Sequence, residues 1–231
     1  MQKVGILGGL GPEATMIYYQ DIIKGFQKRL GRQDVLPELT INSVNMYHLF
    51  GLLNRQDNAG AAAYLGKGIA QLAQAGVDFV AMCGMTPHIV FDQLQAEAAV
   101  PLLSMVQTSV TAAQAQKFTK LGLFGTKFTM SHDFATKPFE TQGITMCLPN
   151  QADQAYIHEK IEKELENGIV KPATKQQLLK VANNLIQTQQ IQGLVLGCTE
   201  LPLIIQPNDL PVPAFDIAQI HIQAIVDRIF Q

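Results

Sequence analysis

Short apolar runs alternate with longer amphipathic segments along the chain. Apolar runs at 4–7, 77–82 and 194–196 are each followed by glycine, and the last two are also followed by cysteine and threonine. Runs of this length suit strands that are buried on both faces of a parallel sheet, although periodicity alone does not separate them from buried helical segments. Helical periodicity covers about 13–30 and 58–75. The pattern predicts an α/β protein with its chemistry at the carboxyl ends of the strands.

The second half of the chain repeats the pattern of the first. The strand that leads to Cys83 matches the strand that leads to Cys198, and V-P-L-L-S at 100–104 matches V-P-A-F-D at 212–216. The matches recur at an offset of about 112 to 117 residues, which suits two similar lobes rather than a solenoid. Ligand pockets favour the interface between such lobes, so we expect the active site in the interlobe cleft. The predicted lobes are 1–99 plus 213–231, and 100–212.

Composition narrows the function to small-molecule chemistry. The 231 residues are 47% hydrophobic and 16% charged, with a net charge of -2, so no basic surface favours nucleic acid. No stretch of 18 apolar residues predicts a membrane span, and no leader pattern opens the chain, so we expect a cytoplasmic protein. Cys83, Cys147 and Cys198 lack C-x-x-C spacing, which argues against a disulfide framework or a zinc site.

A glycine-rich loop follows the first predicted strand. Its sequence, G-G-L-G-P at 8–12, lacks the G-x-G-x-x-G spacing of dinucleotide-binding loops, and no acidic residue for a ribose is evident. The alternative is that its backbone N–H groups hold a small anion such as a carboxylate, helped by the N-terminus of the following helix.

A polar and aromatic segment at 45–57, NMYHLFGLLNRQD, joins a strand predicted at 38–44 to the helix predicted at about 58–75. Its length and composition predict a connection that can act as a lid over the site.

The cysteines are candidates for proton transfer. Inversion at a carbon centre requires acid/base groups on opposite faces of the substrate, and a thiolate can serve as one of them. A free thiol has a pKa of about 8.5, so it needs help from N–H groups, hydroxyls or a cation. The alternative is that each cysteine is a small buried apolar residue, and at Cys198 the adjacent Thr199 and Glu200 weigh against that.

Several motifs together resemble the aspartate/glutamate racemase family, within the Asp/Glu/hydantoin racemase superfamily. They are V-G-I-L-G-G-L-G-P-E-A-T at 4–15, T-P-H at 86–88, G-T-K-F-T-M at 125–130, L-G-C-T-E-L at 196–201 and F-D-I-A-Q-I-H at 215–221. The resemblance spans nearly the whole chain and is closest to the broad-specificity amino-acid racemase branch. It implies two pseudo-symmetric lobes, each a mainly parallel sheet flanked by helices, in a homodimer. It also implies that two thiols act without pyridoxal phosphate or a metal.

The resemblance assigns roles to individual residues. Cys198 matches the second catalytic cysteine of the family, and Thr199 matches its substrate-binding neighbour. Lys171 matches a lysine that some members direct at the side-chain carboxylate of the substrate; the alternative is an ordinary exposed lysine. The small or polar positions of the family's pocket fall on Gly9, Gly11, Thr86, Thr126 and Thr129.

The first catalytic position departs from the family. Members place a cysteine two residues before the threonine that corresponds to Thr86, where this chain has Gly84. Cys83 is one residue early, and successive side chains of a strand point to opposite faces, so its thiol would point away unless Gly84 makes the strand end irregular. We interpret His88 and His221 as structural rather than catalytic residues.

The leading prediction is a cofactor-independent racemase that acts on aspartate, glutamate or a related amino acid, with Cys198 and Cys83 as its bases. One alternative is a one-cysteine enzyme of the same superfamily that resembles the arylmalonate decarboxylases. The other is a non-catalytic protein that binds an amino acid or dicarboxylate, because Gly84 replaces the first cysteine. All three exclude nucleic acid and membranes as partners.

Overall fold

A computed structural model describes all 231 residues, which form two compact units. Unit 1 comprises Met1–Thr108 and Ala218–Gln231, and unit 2 comprises Ser109–Ile217. None of the helices is both long enough and apolar enough to cross a membrane. The strands are β1 Val4–Gly8, β2 Leu39–Ser43, β3 Phe79–Met82, β4 Leu102–Leu103, β5 Lys120–Phe124, β6 Thr145–Cys147, β7 Leu194–Leu196 and β8 Ala214–Asp216. The helices are α1 Pro12–Leu30, α2 Met46–Asn54, α3 Asn58–Gln74, α4 Phe91–Glu97, α5 Met105–Ala115, α6 Lys127–Ser131, α7 Lys137–Thr141, α8 Gln151–Lys163, α9 Pro172–Gln189 and α10 Ile217–Ile229.

Unit 1 is built on a four-stranded parallel sheet in the order β2-β1-β3-β4. Both central strands, β1 and β3, are buried throughout, which explains their continuous apolar sequence. Helix α3 covers one face, where Gly68 lies against Leu7, and α1 covers the other, where Thr15 lies against Gly8. Helix α10 packs beside α1, with Gly25 close to Val226.

Unit 2 has the same architecture, with a parallel sheet in the order β6-β5-β7-β8. Its hydrophobic core joins Phe124 of β5 and Leu196 of β7 to Ile157 of α8 and Leu178 of α9. In each unit the second strand lies at one edge and the fourth at the other, with the first and third between them. The predicted α/β fold of two lobes, each a parallel sheet flanked by helices, is therefore confirmed.

The segment 45–57 differs from the prediction of a polar connection, because most of it is helix α2. Asn45 caps the helix, since its side chain accepts hydrogen bonds from the two N–H groups at positions 47 and 48. Leu49, Leu52 and Leu53 recur at helical spacing and are buried. Their burial stabilises a helix where the aromatic and polar residues had suggested a loop.

The division of the chain falls after the predicted lobe bounds, 1–99 plus 213–231 and 100–212. Strand β4 pairs with β3 and so belongs to the sheet of unit 1, although it lies beyond residue 99. Strand β8 pairs with β7 and so belongs to the sheet of unit 2, although it lies beyond residue 212. In both places one more strand is completed before the chain leaves its unit.

Candidate active site

In unit 1, the glycine loop and the segment after β3 lie side by side. Strands β1 and β3 are parallel neighbours, with Leu7 opposite Met82, so both segments leave the same edge of the sheet. The backbone N–H of Cys83 donates to the carbonyl of Leu7 at 3.1 Å. A Cβ atom at Gly84 would lie 3.0 Å from the carbonyl oxygen of Leu10. The structure thus brings together the predicted site residues Gly9, Gly11, Cys83 and Thr86.

The glycine loop is held closed by Thr15. Its hydroxyl accepts the N–H of Gly9 at 2.9 Å and donates to the carbonyl of Gly11 at 3.0 Å. Gly9 has a φ of 72°, and a Cβ atom there would collide with the backbone of Val44. The Gly9 N–H is therefore engaged within the loop rather than directed at an anion, and the close approach to Val44 explains why glycine is needed.

Cys83 lies in the interior of unit 1. Its exposed fraction is 0%, and burial raises the pKa of its thiol far above the ordinary value. Gly84 follows with a φ of 132°, and Thr86 then begins a 3-10 turn, Thr86–Val90. A thiol in this position is protonated at neutral pH and has no access to solvent. The role of Cys83 as a base stays a prediction, and its burial weighs against it.

The two buried histidines of unit 1 have their ring nitrogens hydrogen-bonded. His88 donates from Nδ1 to the carbonyl of Gly84 at 3.1 Å and accepts the N–H of Met105 at Nε2 at 3.0 Å. His221 donates from Nε2 to a backbone carbonyl, that of residue 103, at 3.0 Å and accepts the Tyr18 hydroxyl at Nδ1 at 2.8 Å. Burial lowers the pKa of His88 to about 4 and that of His221 to about 3. Both rings are neutral and fully bonded, which supports their interpretation as structural residues.

In unit 2, the ends of β5 and β7 form the corresponding edge. The N–H of Gly197 donates to the carbonyl of Phe124 at 2.7 Å, and a Cβ atom at Gly197 would lie only 2.8 Å from that oxygen. Thr126 caps α6, because its hydroxyl accepts the N–H of Thr129 at 3.3 Å and lies 3.2 Å from the Thr129 hydroxyl. Helix α6 thus begins at Lys127, with Thr129 in its first turn.

Cys198 follows β7 after one residue, Gly197, and is only half-buried. Its S–H donates to Oε2 of Glu200 at 2.8 Å. Burial and the negative charge of Glu200 raise the pKa of the thiol well above its ordinary value, and the charge of Glu166 adds to the effect. Thr199 lies between the thiol and this carboxylate in the chain and is also half-buried.

The sequence interpretation gave no role to the two carboxylates beside Cys198. Glu200 could have been found, because it stands two residues after Cys198 in G-C-T-E. Glu166 lies in a 3-10 turn, Leu165–Asn167, and no pattern in the sequence connects it to β7. The charge of Glu200 and burial raise the pKa of Glu166 above its usual range, with burial the larger cause.

Lys171 precedes α9 and belongs to a cluster of charged residues. Its Nζ lies 3.3 Å from Oε1 of Glu164, a carboxylate whose side chain is 7% exposed. Glu164 also accepts the Thr174 hydroxyl at 2.6 Å and pairs with Lys160 at 3.1 Å. The Thr174 hydrogen bond, with the two lysines, lowers the pKa of Glu164 to about 2. Lys171 itself is 56% exposed, and its role toward a substrate carboxylate stays a prediction.

The remaining cysteine and the possible metal ligands complete the description of the reactive side chains. Cys147 is buried at the end of β6 and receives no functional role. No group of three or more histidine, cysteine, aspartate or glutamate side chains is placed to hold a metal ion.

Comparison with known proteins identifies the family. The sequence model of the Asp/Glu/hydantoin racemase family matches residues 7–225. The broad specificity amino-acid racemase RacX of Bacillus subtilis (strain 168) is 22% identical over 221 residues, which cover 92% of each chain. A candidate Asp/Glu racemase from Yersinia pestis shares the fold with a TM-score of 0.94 and 30% identity, and both chains are covered completely. An aspartate racemase homologue from Pyrococcus horikoshii OT3 has a TM-score of 0.89 and 32% identity, again over both complete chains. The chain therefore belongs to the Asp/Glu/hydantoin racemase family, as its motifs predicted, and is an isomerase of the amino-acid racemase class.

Proposed function

We propose that the chain racemises an amino acid through Cys198, without pyridoxal phosphate or a metal. The observation that carries the proposal is the difference in exposure among the three cysteines. Cys83 and Cys147 are buried, whereas Cys198 is half-buried at the carboxyl end of a central strand. A proton-transferring group must reach the substrate, so accessibility favours Cys198.

The proposed step moves one proton between sulfur and carbon. As a base, the Cys198 thiolate takes the Cα proton: the C–H bond breaks, an S–H bond forms, and the electron pair remains on the substrate, delocalised into its carboxylate. As an acid, the thiol returns a proton to Cα by the reverse step. Gly197 keeps the strand end free of a side chain beside the sulfur, and Thr199 offers a hydroxyl for the substrate. This accounts for exchange on one face; racemisation also needs a donor on the other, for which Cys83 is the first candidate.

We further propose aspartate, glutamate or a related amino acid as the substrate. The names of the relatives support this range, since they include a broad specificity amino-acid racemase and an aspartate racemase homologue. Lys171 is the proposed partner of the side-chain carboxylate of the substrate. Its ammonium group would then interact with both that carboxylate and Glu164. A homodimer is expected from the family resemblance, and sedimentation equilibrium of the purified protein checks it.

The test follows the Cα proton by NMR in deuterated buffer. Purified protein is incubated with L- or D-aspartate and L- or D-glutamate, with a chelator and without added cofactor. Loss of the Cα signal from both enantiomers is the expected result. Cys198→Ser should reduce exchange by at least about a thousandfold, because it removes the transferring group. Cys147→Ser is the matched control and should retain the wild-type rate. Full activity in Cys198→Ser would exclude a thiol mechanism at this position.

A one-base enzyme is the second candidate, and the surroundings of Cys83 favour it. That thiol is completely buried, and the position where the family has its first cysteine is Gly84. Such an enzyme would exchange the Cα proton of one enantiomer at most, while a binding protein would exchange neither. Cys83→Ser separates the readings: loss of exchange from one enantiomer indicates two thiols, and an unchanged rate from both indicates that Cys83 is not a base.

A further inference from the structure

The Cys198 thiol has a hydrogen-bond acceptor built beside it. Its S–H donates to Oε2 of Glu200 at 2.8 Å, and both side chains are half-buried. Glu200 stands directly before a short 3-10 turn, Leu201–Leu203, whose first residue donates its N–H to the carbonyl of Cys198 at 3.2 Å. The local backbone therefore fixes the carboxylate next to the sulfur. An ionised carboxylate can only accept hydrogen bonds, so it interacts favourably with a thiol and unfavourably with a thiolate.

Two acidic side chains, those of Glu200 and Glu166, oppose the ionisation of this thiol. Glu200 faces it from its own strand end, and Glu166 faces it from the turn that follows α8. Acidic groups beside a thiol oppose its ionisation. Cationic groups have the opposite effect and stabilise the thiolate of a nucleophilic cysteine.

We propose that Glu200 is the positioning residue of Cys198: by accepting the S–H hydrogen bond, it holds the sulfur in its thiol form, so that Cys198 is a proton donor in the resting site. This inference rests on the proposed role of Cys198 in proton transfer. The proposal fixes where the transferable proton lies before the substrate binds: it is on the sulfur of Cys198. Removal of a Cα proton by Cys198 then requires prior loss of the thiol proton.

The deciding experiment measures the ionisation of Cys198 without any substrate. Iodoacetamide alkylation is followed between pH 6 and pH 11, and the peptide that carries Cys198 is quantified by mass spectrometry, which separates it from the buried cysteines. The wild-type rate should rise with a midpoint above pH 9. Glu200→Gln preserves the size of the side chain but removes its charge, so the midpoint should fall and the rate at pH 8 should rise by about tenfold or more.

Matched variants distinguish charge from structure. Glu200→Asp keeps the carboxylate and should keep a midpoint closer to that of the wild type. Glu166→Gln removes the second acidic group, which is not hydrogen-bonded to the sulfur, and should shift the midpoint less than Glu200→Gln does. The alkaline limb of the exchange rate should move down in Glu200→Gln by the same amount as the alkylation midpoint.

Three results would overturn the proposal. They are a wild-type midpoint at or below about pH 8.5, the value of a free thiol, an unchanged midpoint in Glu200→Gln, and equal shifts in Glu200→Gln and Glu166→Gln. Absence of Cα exchange in the wild type would instead overturn the proposed function, and the alkylation series would still decide the role of Glu200.

Discussion

The buried histidines of unit 1 should make the protein sensitive to mild acid. His88 and His221 are neutral in the folded state, with pKa values of about 4 and about 3. An unfolded chain binds a proton at each imidazole near pH 6.5. Since the folded pKa is depressed below the unfolded one and the neutral form is the native one, their contribution to stability is complete above pH 6.5. It is lost as the pH falls from there toward 4.

The magnitude follows from proton linkage. Each histidine changes the free energy of unfolding by about 1.4 kcal/mol per pH unit once the pH is below its unfolded pKa and above its folded pKa. Together the two should remove about 4 kcal/mol between pH 8 and pH 5. Native domains are stable by roughly 5–15 kcal/mol, so this is a large fraction of the total. Carboxylates such as Glu164, whose folded pKa is about 2, lose their contribution only below about pH 4.5.

Urea unfolding measured at pH 8, 7, 6 and 5 tests this reasoning. His88→Gln is the informative variant, because its side-chain oxygen can still accept the N–H of Met105 while the residue no longer titrates. It should be less stable than the wild type at pH 8, and its stability should fall about half as steeply below pH 6.5. A wild-type stability that stays flat between pH 6.5 and pH 5, or a variant with an undiminished slope, would refute the assignment of neutral buried rings.

Four further predictions concern single substitutions. Gly84→Ala should lower the free energy of unfolding by about 1–3 kcal/mol, because the backbone φ at this position is 132°. Gly66→Ala within α3 should raise the free energy of unfolding by up to about 1 kcal/mol, because the nearest atom to an added Cβ would be 3.8 Å away. Denaturant titration measures both changes. Tyr18→Phe leaves Nδ1 of the buried His221 without its donor and should cost about 1–3 kcal/mol in the same assay. Lys171→Ala should raise the KM for aspartate by about tenfold, through loss of a charge-assisted hydrogen bond, and leave the KM for alanine unchanged in a concentration series of the exchange assay. Equal KM changes for both amino acids would show that Lys171 does not recognise the side-chain carboxylate.

Local patterns in the sequence were sufficient to predict the central strands that lead to the glycine loop and to Cys83 and Cys198, while the short edge strand β6 was not predicted. The runs at 4–7 and 194–196 are apolar without interruption because both lie in central strands of parallel sheets, and a parallel sheet places the ends of neighbouring strands together. The adjacency of the segments that follow β1 and β3, and of those that follow β5 and β7, follows from strand order alone. The alternation of side chains along a strand predicts that the thiol of Cys83 points away from the site at the strand end, and the complete burial of Cys83 agrees with this prediction.

Features that depend on tertiary packing were not predictable in the same way. The electrostatic effect of Glu166 on Cys198 joins segments separated by more than thirty residues, with no motif to link them. The pairing of Lys171 with Glu164 likewise depends on how α8 and α9 meet. Helix α2 was missed for a different reason: Leu49, Leu52 and Leu53 carried the helical period, but the surrounding aromatic and amide residues obscured it.

Unit 1 is assembled from two ends of the sequence, which has a consequence for the order in which the chain folds during synthesis. Residues 218–231 follow the whole of unit 2, yet α10 supplies His221 to Tyr18, and Ile229 accepts the N–H of Gln2 at 2.8 Å. Unit 2 is one continuous stretch and can close as soon as it leaves the ribosome. Unit 1 cannot be completed until α10 emerges, so the face of α1 that α10 covers stays exposed to solvent for longer during synthesis than the core of unit 2.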